Sequence, residues 1–339
     1  MNIKKIISSA LVAFITILTL SSCDSTPAEY TTTSFAFDTY VTFRIFKTNG
    51  ISTPEEICDN AISLLNDLEE KISTTKNNSE VSKLNVLAAT APVKTDEQIY
   101  WLIKNCVDLS ILTNGAFDIT LGKISELWGF YSENPEKPDL NQIASLAGKE
   151  NYKTIEFDDE KLTISFKNDS FKLDLGAVGK GYALDMLKEF LKDNGVTSGL
   201  VDFGGSILTI GKYIDNNWTV SISDGTKNGV AGKITLPAAF YATSNASNRF
   251  VEYDGTKFHH IIDGKTAFPS ENDVKSCTVI SDSGLISDAL STAVFVMGKD
   301  NAVTLYNEYP IAEFIITDTD GNVYVTDGIK IYFESEKNG

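Results

Sequence analysis

Asp174-Leu175-Gly176-Ala177-Val178-Gly179-Lys180-Gly181 joins a predicted strand, Phe171 to Leu175, to a predicted helix, Gly179 to Asn194, and the nature of that junction decides the fold class. Backbone N–H groups at a glycine-rich strand-to-helix turn receive phosphate oxygens, and Lys180 adds a point charge beside them. The stretch is not a Walker A loop, which would need glycine where Asp174 stands and Ser or Thr where Gly181 follows the lysine. It is not the Rossmann fingerprint either. Its glycines equally suit positive φ or close packing. The segments around it settle the class: they are hairpin-like strand runs with separate helices, which predicts an α+β fold rather than a regular βαβ wind.

Working outward, Phe35 to Phe46 alternates and reads as an opening strand, and Pro54 to Lys71 carries Ile57, Ala61, Leu64, Leu65 and Leu68 at helical spacing. Asp96 to Thr113 is a second helix, closed by Asn114-Gly115. Tyr152 to Phe157 and Lys161 to Phe166 are strand candidates across an Asp-Asp-Glu turn. Short β segments follow at Gly199 to Phe203, Ser206 to Ile210, Trp218 to Ile222, Lys233 to Leu236 and Tyr241 to Thr243. Ile286 to Met297 and Asn301 to Tyr306 read as helices, and Ile311 to Ile316, Val323 to Thr326 and Ile329 to Phe333 as closing strands.

The 339 residues are 42% apolar and 22% charged, as in an ordinary folded protein, which excludes disorder and low complexity. The net charge of −17 repels phosphate backbones and argues against nucleic acid as a partner, so an anionic ligand needs a local device such as a metal ion or a helix N-terminus. Met1 to Lys5 followed by the apolar run Ile6 to Leu20 reads as an export signal, too short to span a bilayer comfortably. Leu20-Ser21-Ser22-Cys23 looks like a bacterial lipobox, in which Cys23 takes lipid and becomes the mature N-terminus. The expected plan is a lipoprotein signal peptide at 1–22, a linker at 23–34 and one domain at 35–335, tethered to the cell membrane on its extracytoplasmic face. Cys58, Cys106 and Cys277 are odd in number, lack metal-like spacing and read as buried thiols, with at most one disulfide.

Several short segments carry chemistry. Asp288 and Thr292 stand four apart on one helix face, where a carboxylate and a hydroxyl supply two oxygens to Mg²⁺; a helix-capping Asp with a Thr bonded to the previous turn would look the same. The only two histidines lie in Phe258-His259-His260-Ile261-Ile262-Asp263-Gly264, where His260 and Asp263 read as base and orienting group or as an ordinary strand edge. Ala116-Phe117-Asp118-Ile119-Thr120 places a ring and a carboxylate where a planar ligand fits, or where a packed Phe and a turn Asp would sit. Asp202-Phe203-Gly204-Gly205-Ser206 and Ala242-Thr243-Ser244-Asn245 are further polar strand ends.

In order and spacing these segments resemble the ApbE family of FAD:protein FMN transferases, from about Phe35 to Met297. Further markers are Phe37-Asp38-Thr39, Ser79-Glu80-Val81-Ser82-Lys83-Leu84-Asn85 and Leu127-Trp128-Gly129-Phe130. The resemblance implies a mixed α+β fold with FAD in a cleft between two subregions, and transfer of FMN from FAD to a threonine or serine of an exported or membrane partner protein through a phosphoester. Alternatives within it are hydrolysis of FAD to FMN and AMP, and flavin binding without chemistry. It also implies Mg²⁺ held by the Ala177 carbonyl, Asp288 and Thr292; nucleotide contacts from Phe37, Thr75, Ala116, Phe117, Asp118, Asp174, Lys180 and Ile261; and activation of the acceptor hydroxyl by His260, with Asp263 or metal-held water as alternative bases. The chain departs from the family pattern where Phe37-Asp38 replaces Met-Gly, Thr75 an aromatic residue, Gly179 an alanine and Gly264 a proline.

Overall fold

The computed structural model of the protein describes residues 29–336 apart from Asn248. The segment read as an export signal, 1–22, the expected lipidation site Cys23 and the first residues of the expected linker lie outside the described residues. Eight strands form the main sheet: β1 (Tyr30–Ala36), β2 (Thr39–Thr48), β3 (Val196–Phe203), β4 (Ser206–Gly211), β5 (Phe240–Asn245), β6 (Val274–Ser281), β7 (Glu313–Asp318) and β8 (Val323–Val325). They lie side by side in chain order and every neighbouring pair is antiparallel. Three long helices matter for the site: α1 (Pro54–Ile72), α2 (Gly179–Asp193) and α3 (Gly284–Met297). The architecture is α+β, as the residue pattern predicts, with the helices inserted between strands of a meander.

The central strands are buried on both faces. Phe240, Val279 and Phe314 join the large core beneath the helices, whereas their neighbours Tyr241, Ile280 and Ile315 pack under a smaller sheet built on Trp218–Ser223 and Val230–Leu236. A strand covered on both sides has no reason to alternate, which is why β6, with Ser276 to Ile280 all buried, carries no strand signature in the sequence. A third cluster gathers Ile124, Trp128, Phe130, Val251, Tyr253 and Ile262. Trp128 anchors it: Nε1 donates to Ala267 O (3.0 Å), its own carbonyl accepts from Tyr253 Oη (2.7 Å), and its ring meets Phe258 at 4.9 Å. The large core and this third cluster are the two subregions that flank the cleft.

Three expectations need correction. The opening strand is a hairpin: the chain reverses at Phe37-Asp38, both at positive φ (52° and 56°), and Tyr30 to Ser34 belong to β1 rather than to a linker. Two-residue hairpin turns of this hand favour Asn-Gly or Gly, so Phe-Asp gives no turn signal. Phe171 to Leu175 makes no strand beyond one isolated bridge between Leu121 and Lys172, because the Asn85 side chain takes both backbone groups of Leu173 (2.6 and 3.0 Å). Ile329 to Phe333 is mostly a 3₁₀ turn, Lys330–Tyr332, with a strand beginning only at Phe333. No disulfide links the three described cysteines, all of which are free and buried.

α1 forms as its sequence dictates. Pro54 occupies its first turn, Thr53 and Glu56 make a reciprocal capping box, and Ile57, Ala61, Leu65, Leu68 and Ile72 present one buried stripe. Its C-terminal turn ends at the β1–β2 tip, where Glu69 Oε2 accepts from Phe37 N (2.9 Å).

Candidate active site

α2 and α3 cross where neither can carry a side chain. A Cβ on Gly181 would stand 2.2 Å from Gly284 O, and one on Gly284 would stand 2.1 Å from Gly181 O. This close approach lets each helix cap the other. Asp288 of α3 takes the Gly181 N–H on Oδ2 (2.8 Å), and Asp185 of α2 takes the N–H groups of Gly284 (2.7 Å) and Leu285 (2.8 Å) and the Ser283 hydroxyl (3.0 Å). α2 has no side-chain cap of its own, so Asp288 meets an orphan donor of the neighbouring helix. Burial raises the Asp185 carboxyl above its usual range despite these three donors.

The Asp288 carboxylate is 6% exposed and is braced further by Ser206 Oγ on Oδ1 (3.3 Å), with Lys180 Nζ 3.9 Å from Oδ2. Ser291, not Thr292, returns its hydroxyl to Asp288 O (2.9 Å); the Thr292 hydroxyl meets Ser244 Oγ at 3.5 Å. Asp288, Thr292 and Ala177 line one cleft of about 360 Å³. Among the described residues no group of three or more His, Cys, Asp or Glu side chains is placed to hold a metal. The donors on offer are one carboxylate, one hydroxyl and one carbonyl, all hard oxygens. That set fits Mg²⁺, which keeps waters and substrate phosphates in its shell rather than a full protein cage.

The same cleft is lined by Phe37, Thr75, Ala116, Phe117, Asp118 and Asp174, and by Lys180, His260 and Ile261, so residues drawn from 37 to 292 converge on it. Asp118 Oδ1 accepts from Thr120 N (2.7 Å) and Oγ1 (2.6 Å), yet burial pushes its carboxyl up to about 6. Asp174 holds the loop into α2 by accepting from Gly176 N (2.9 Å) and from the Tyr131 hydroxyl. His260 is half-buried, its Nδ1 lies 3.1 Å from Arg249 O, and its backbone N–H donates to the same oxygen (3.2 Å). A carbonyl only accepts, so Nδ1 carries the proton and Nε2 keeps its lone pair. Burial first, then the charges of Arg249, Lys180 and His259, push the ring down to about 4, so it is neutral near pH 7.

Asp263 does not orient His260. Its Oδ1 accepts from Lys265 N (2.9 Å) and its carbonyl from Thr266 and Ala267 N, so it shapes the turn after His260 and lies outside the cleft lining. Sequence reasoning passed over Tyr131, Ser125 and Arg249, which also line the cleft. Arg249 and Arg44 are the only arginines in the sequence, and that scarcity was the available signal.

Two departures from the family pattern compensate each other. The Phe37 ring packs edge-on against Phe203 (5.5 Å), and a Cβ on Gly179 would stand 3.3 Å from Phe37 Cε1 and 3.2 Å from Ile72 Cδ1. A larger side chain at 37 thus occupies room that a missing methyl at 179 leaves. Double-mutant cycles on Phe37→Met and Gly179→Ala should show a favourable coupling of about 1 kcal/mol in urea unfolding; strict additivity would show that the two positions do not share this space.

The chain belongs to the ApbE family, whose match covers residues 37–316. It is 28% identical over 317 residues to the FAD:protein FMN transferase of Treponema pallidum, covering 89% of this chain and 88% of that protein. The crystal structure of the ApbE protein from Thermotoga maritima superposes with a TM-score of 0.83 at 32% identity, covering 90% of this chain and 99% of that one. The flavin transferase ApbE from Vibrio cholerae, at 24% identity, shares the fold with a TM-score of 0.78.

Proposed function

We propose that the protein is a Mg²⁺-dependent FAD:protein FMN transferase, which moves the FMN moiety of FAD onto a Thr or Ser hydroxyl of an exported or membrane partner protein through a phosphoester and releases AMP. Family membership supports the flavin substrate and the protein acceptor. The observation that carries the chemistry is the convergence of Asp288, Lys180 and a neutral His260 on one cleft. Lipid on Cys23 would place this activity at the outer face of the cell membrane.

Asp288, Thr292 and the Ala177 carbonyl would hold Mg²⁺, which when bound would supply charge that offsets the diphosphate. Lys180 adds a further positive charge at the N-terminus of α2. His260 Nε2 takes the proton of the acceptor hydroxyl as its oxygen bonds the FMN phosphorus. The bond from that phosphorus to the oxygen bridging to AMP breaks, and AMP leaves with that oxygen and the bonding electron pair. Positioning and electrostatics carry most of such a transfer. Asp118, with a carboxyl near 6, is suited to hydrogen-bond a polar edge of the flavin ring.

Incubation with FAD, Mg²⁺ and an acceptor domain should raise the acceptor mass by one FMN with equimolar AMP. Free FMN and AMP without modified acceptor would indicate hydrolysis, and retained FAD with no AMP would indicate binding alone. Because kcat/KM reports the free enzyme, its acid limb should fall towards pH 4, where His260 gains its proton, rather than at the ordinary imidazole value of about 6.5. Asp118 titrates near 6, so the profile is measured in Asp118→Asn as well. A limb at about 6.5 that persists in that variant contradicts the role given to His260.

A further inference from the structure

Arg249 and Arg44 are the chain's only arginines among 29 basic residues. Arg44 is paired with Glu29 away from the cleft. Arg249 is exposed yet lines the cleft, so it stands at the rim. Its guanidinium lies over the Tyr131 ring at 5.1 Å, and Nη2 donates to Phe130 O (2.6 Å). Among the described residues no carboxylate oxygen forms an ion pair with it, although the chain carries a net charge of −17. Tyr131 is itself fixed by its hydroxyl, which donates to Asp174.

A guanidinium has five donors in a rigid plane. Here one is committed to a carbonyl and one face to an aromatic ring, which orients the plane without neutralising it. The remaining donors have the geometry that matches two oxygens of a phosphate, which a lysine offers only as a point charge. The same residue's carbonyl holds both the backbone N–H and Nδ1 of His260. The position of the cation and the position of the base are therefore set by one residue.

We propose that Arg249 is the phosphate-gripping arginine of this cleft: its free guanidinium edge binds non-bridging oxygens of the dinucleotide's diphosphate and holds the reacting phosphorus in register with His260. The proposal rests on the FAD reading above and deepens it, since neither family membership nor the sequence motifs assign this residue a role.

Binding of FAD and of riboflavin, followed by quenching of flavin fluorescence, tests the assignment in the full-length protein with Mg²⁺. Arg249→Gln should weaken FAD binding by about 10- to 100-fold, the loss expected for charge-assisted hydrogen bonds. Arg249→Lys should recover only part of that loss. Riboflavin, which has no phosphate, should bind all three proteins within about twofold, and inorganic pyrophosphate should compete with FAD less well in the Gln variant. Equal losses for FAD and riboflavin would overturn the proposal by showing that Arg249 serves the ring. Unchanged FAD affinity with a raised KM for the acceptor protein would overturn it by assigning the arginine to the partner. If wild-type protein binds riboflavin and FAD equally, or binds no flavin, the FAD reading itself fails, which is a separate result. Matching thermal melts of the variants show that each is folded.

Discussion

Asp288→Ala should lower Mg²⁺-dependent flavin transfer by about a thousandfold, equivalent to ~4 kcal/mol of transition-state stabilisation. The side chain is the single carboxylate of the oxygen set and is held by Gly181 N and Ser206 Oγ. Alanine also leaves the Gly181 N–H without its acceptor, at about 1–3 kcal/mol of fold stability, so loss of activity alone would be ambiguous. Asp288→Asn resolves this. Its amide oxygen still accepts from Gly181, so the melting temperature should stay near wild type while turnover remains lost and does not return with added Mg²⁺. An Asn variant with near-normal rate at ordinary Mg²⁺ would remove Asp288 from the metal site.

Gly181→Ala should damage stability and activity together. The new methyl would fall 2.2 Å from Gly284 O and 2.6 Å from Asp288 Cβ, and the first of these is backbone that cannot rotate aside. Either the helices separate or the turn distorts, at about 2–4 kcal/mol. Separation also displaces Asp288 and Lys180 together, so kcat should fall at temperatures where the variant is still folded. Chemical unfolding and turnover measured on one preparation check both effects. A variant of wild-type stability and activity would show that α2 and α3 do not rely on this contact.

The same crossing explains how much of the site was legible. Gly181, Asp288 and Thr292 stand out in the sequence because each answers a local demand at the crossing: no side chain at the contact, an acceptor for an orphan N–H group, and oxygens on one helix face. Ser206 and Ser244 fall in short polar segments at strand ends for a related reason, since they brace that face from the sheet. What was hidden depends on distant partners. The hairpin turn at Phe37-Asp38 is stabilised by Glu69 and Phe203 rather than by turn residues. β6 lies between two cores, which erases alternation. The Leu173 segment looks like a strand but pairs with the Asn85 side chain, more than eighty residues away in the chain. Asp263 misled in the opposite direction: a carboxylate three residues from a histidine suggests a catalytic pair, yet its side chain shapes a turn, and the His260 ring is oriented by a main-chain oxygen.

Lys180, Arg249 and the α2 N-terminus bring positive charge to a cleft that is also lined by Asp38, Glu69, Asp118, Asp174 and Asp288. Burial first, and then the charges of Arg249, Lys180 and His259, lower the proton affinity of His260.

The most direct measurement is anomalous diffraction from crystals grown with FAD and Mn²⁺ standing in for Mg²⁺. The ion should lie about 2.0–2.2 Å from an Asp288 carboxylate oxygen, Thr292 Oγ1 and Ala177 O, and should share a diphosphate oxygen with the bound nucleotide. Manganese density at another site, or a diphosphate turned away from the crossing of α2 and α3, would refute the proposed chemistry.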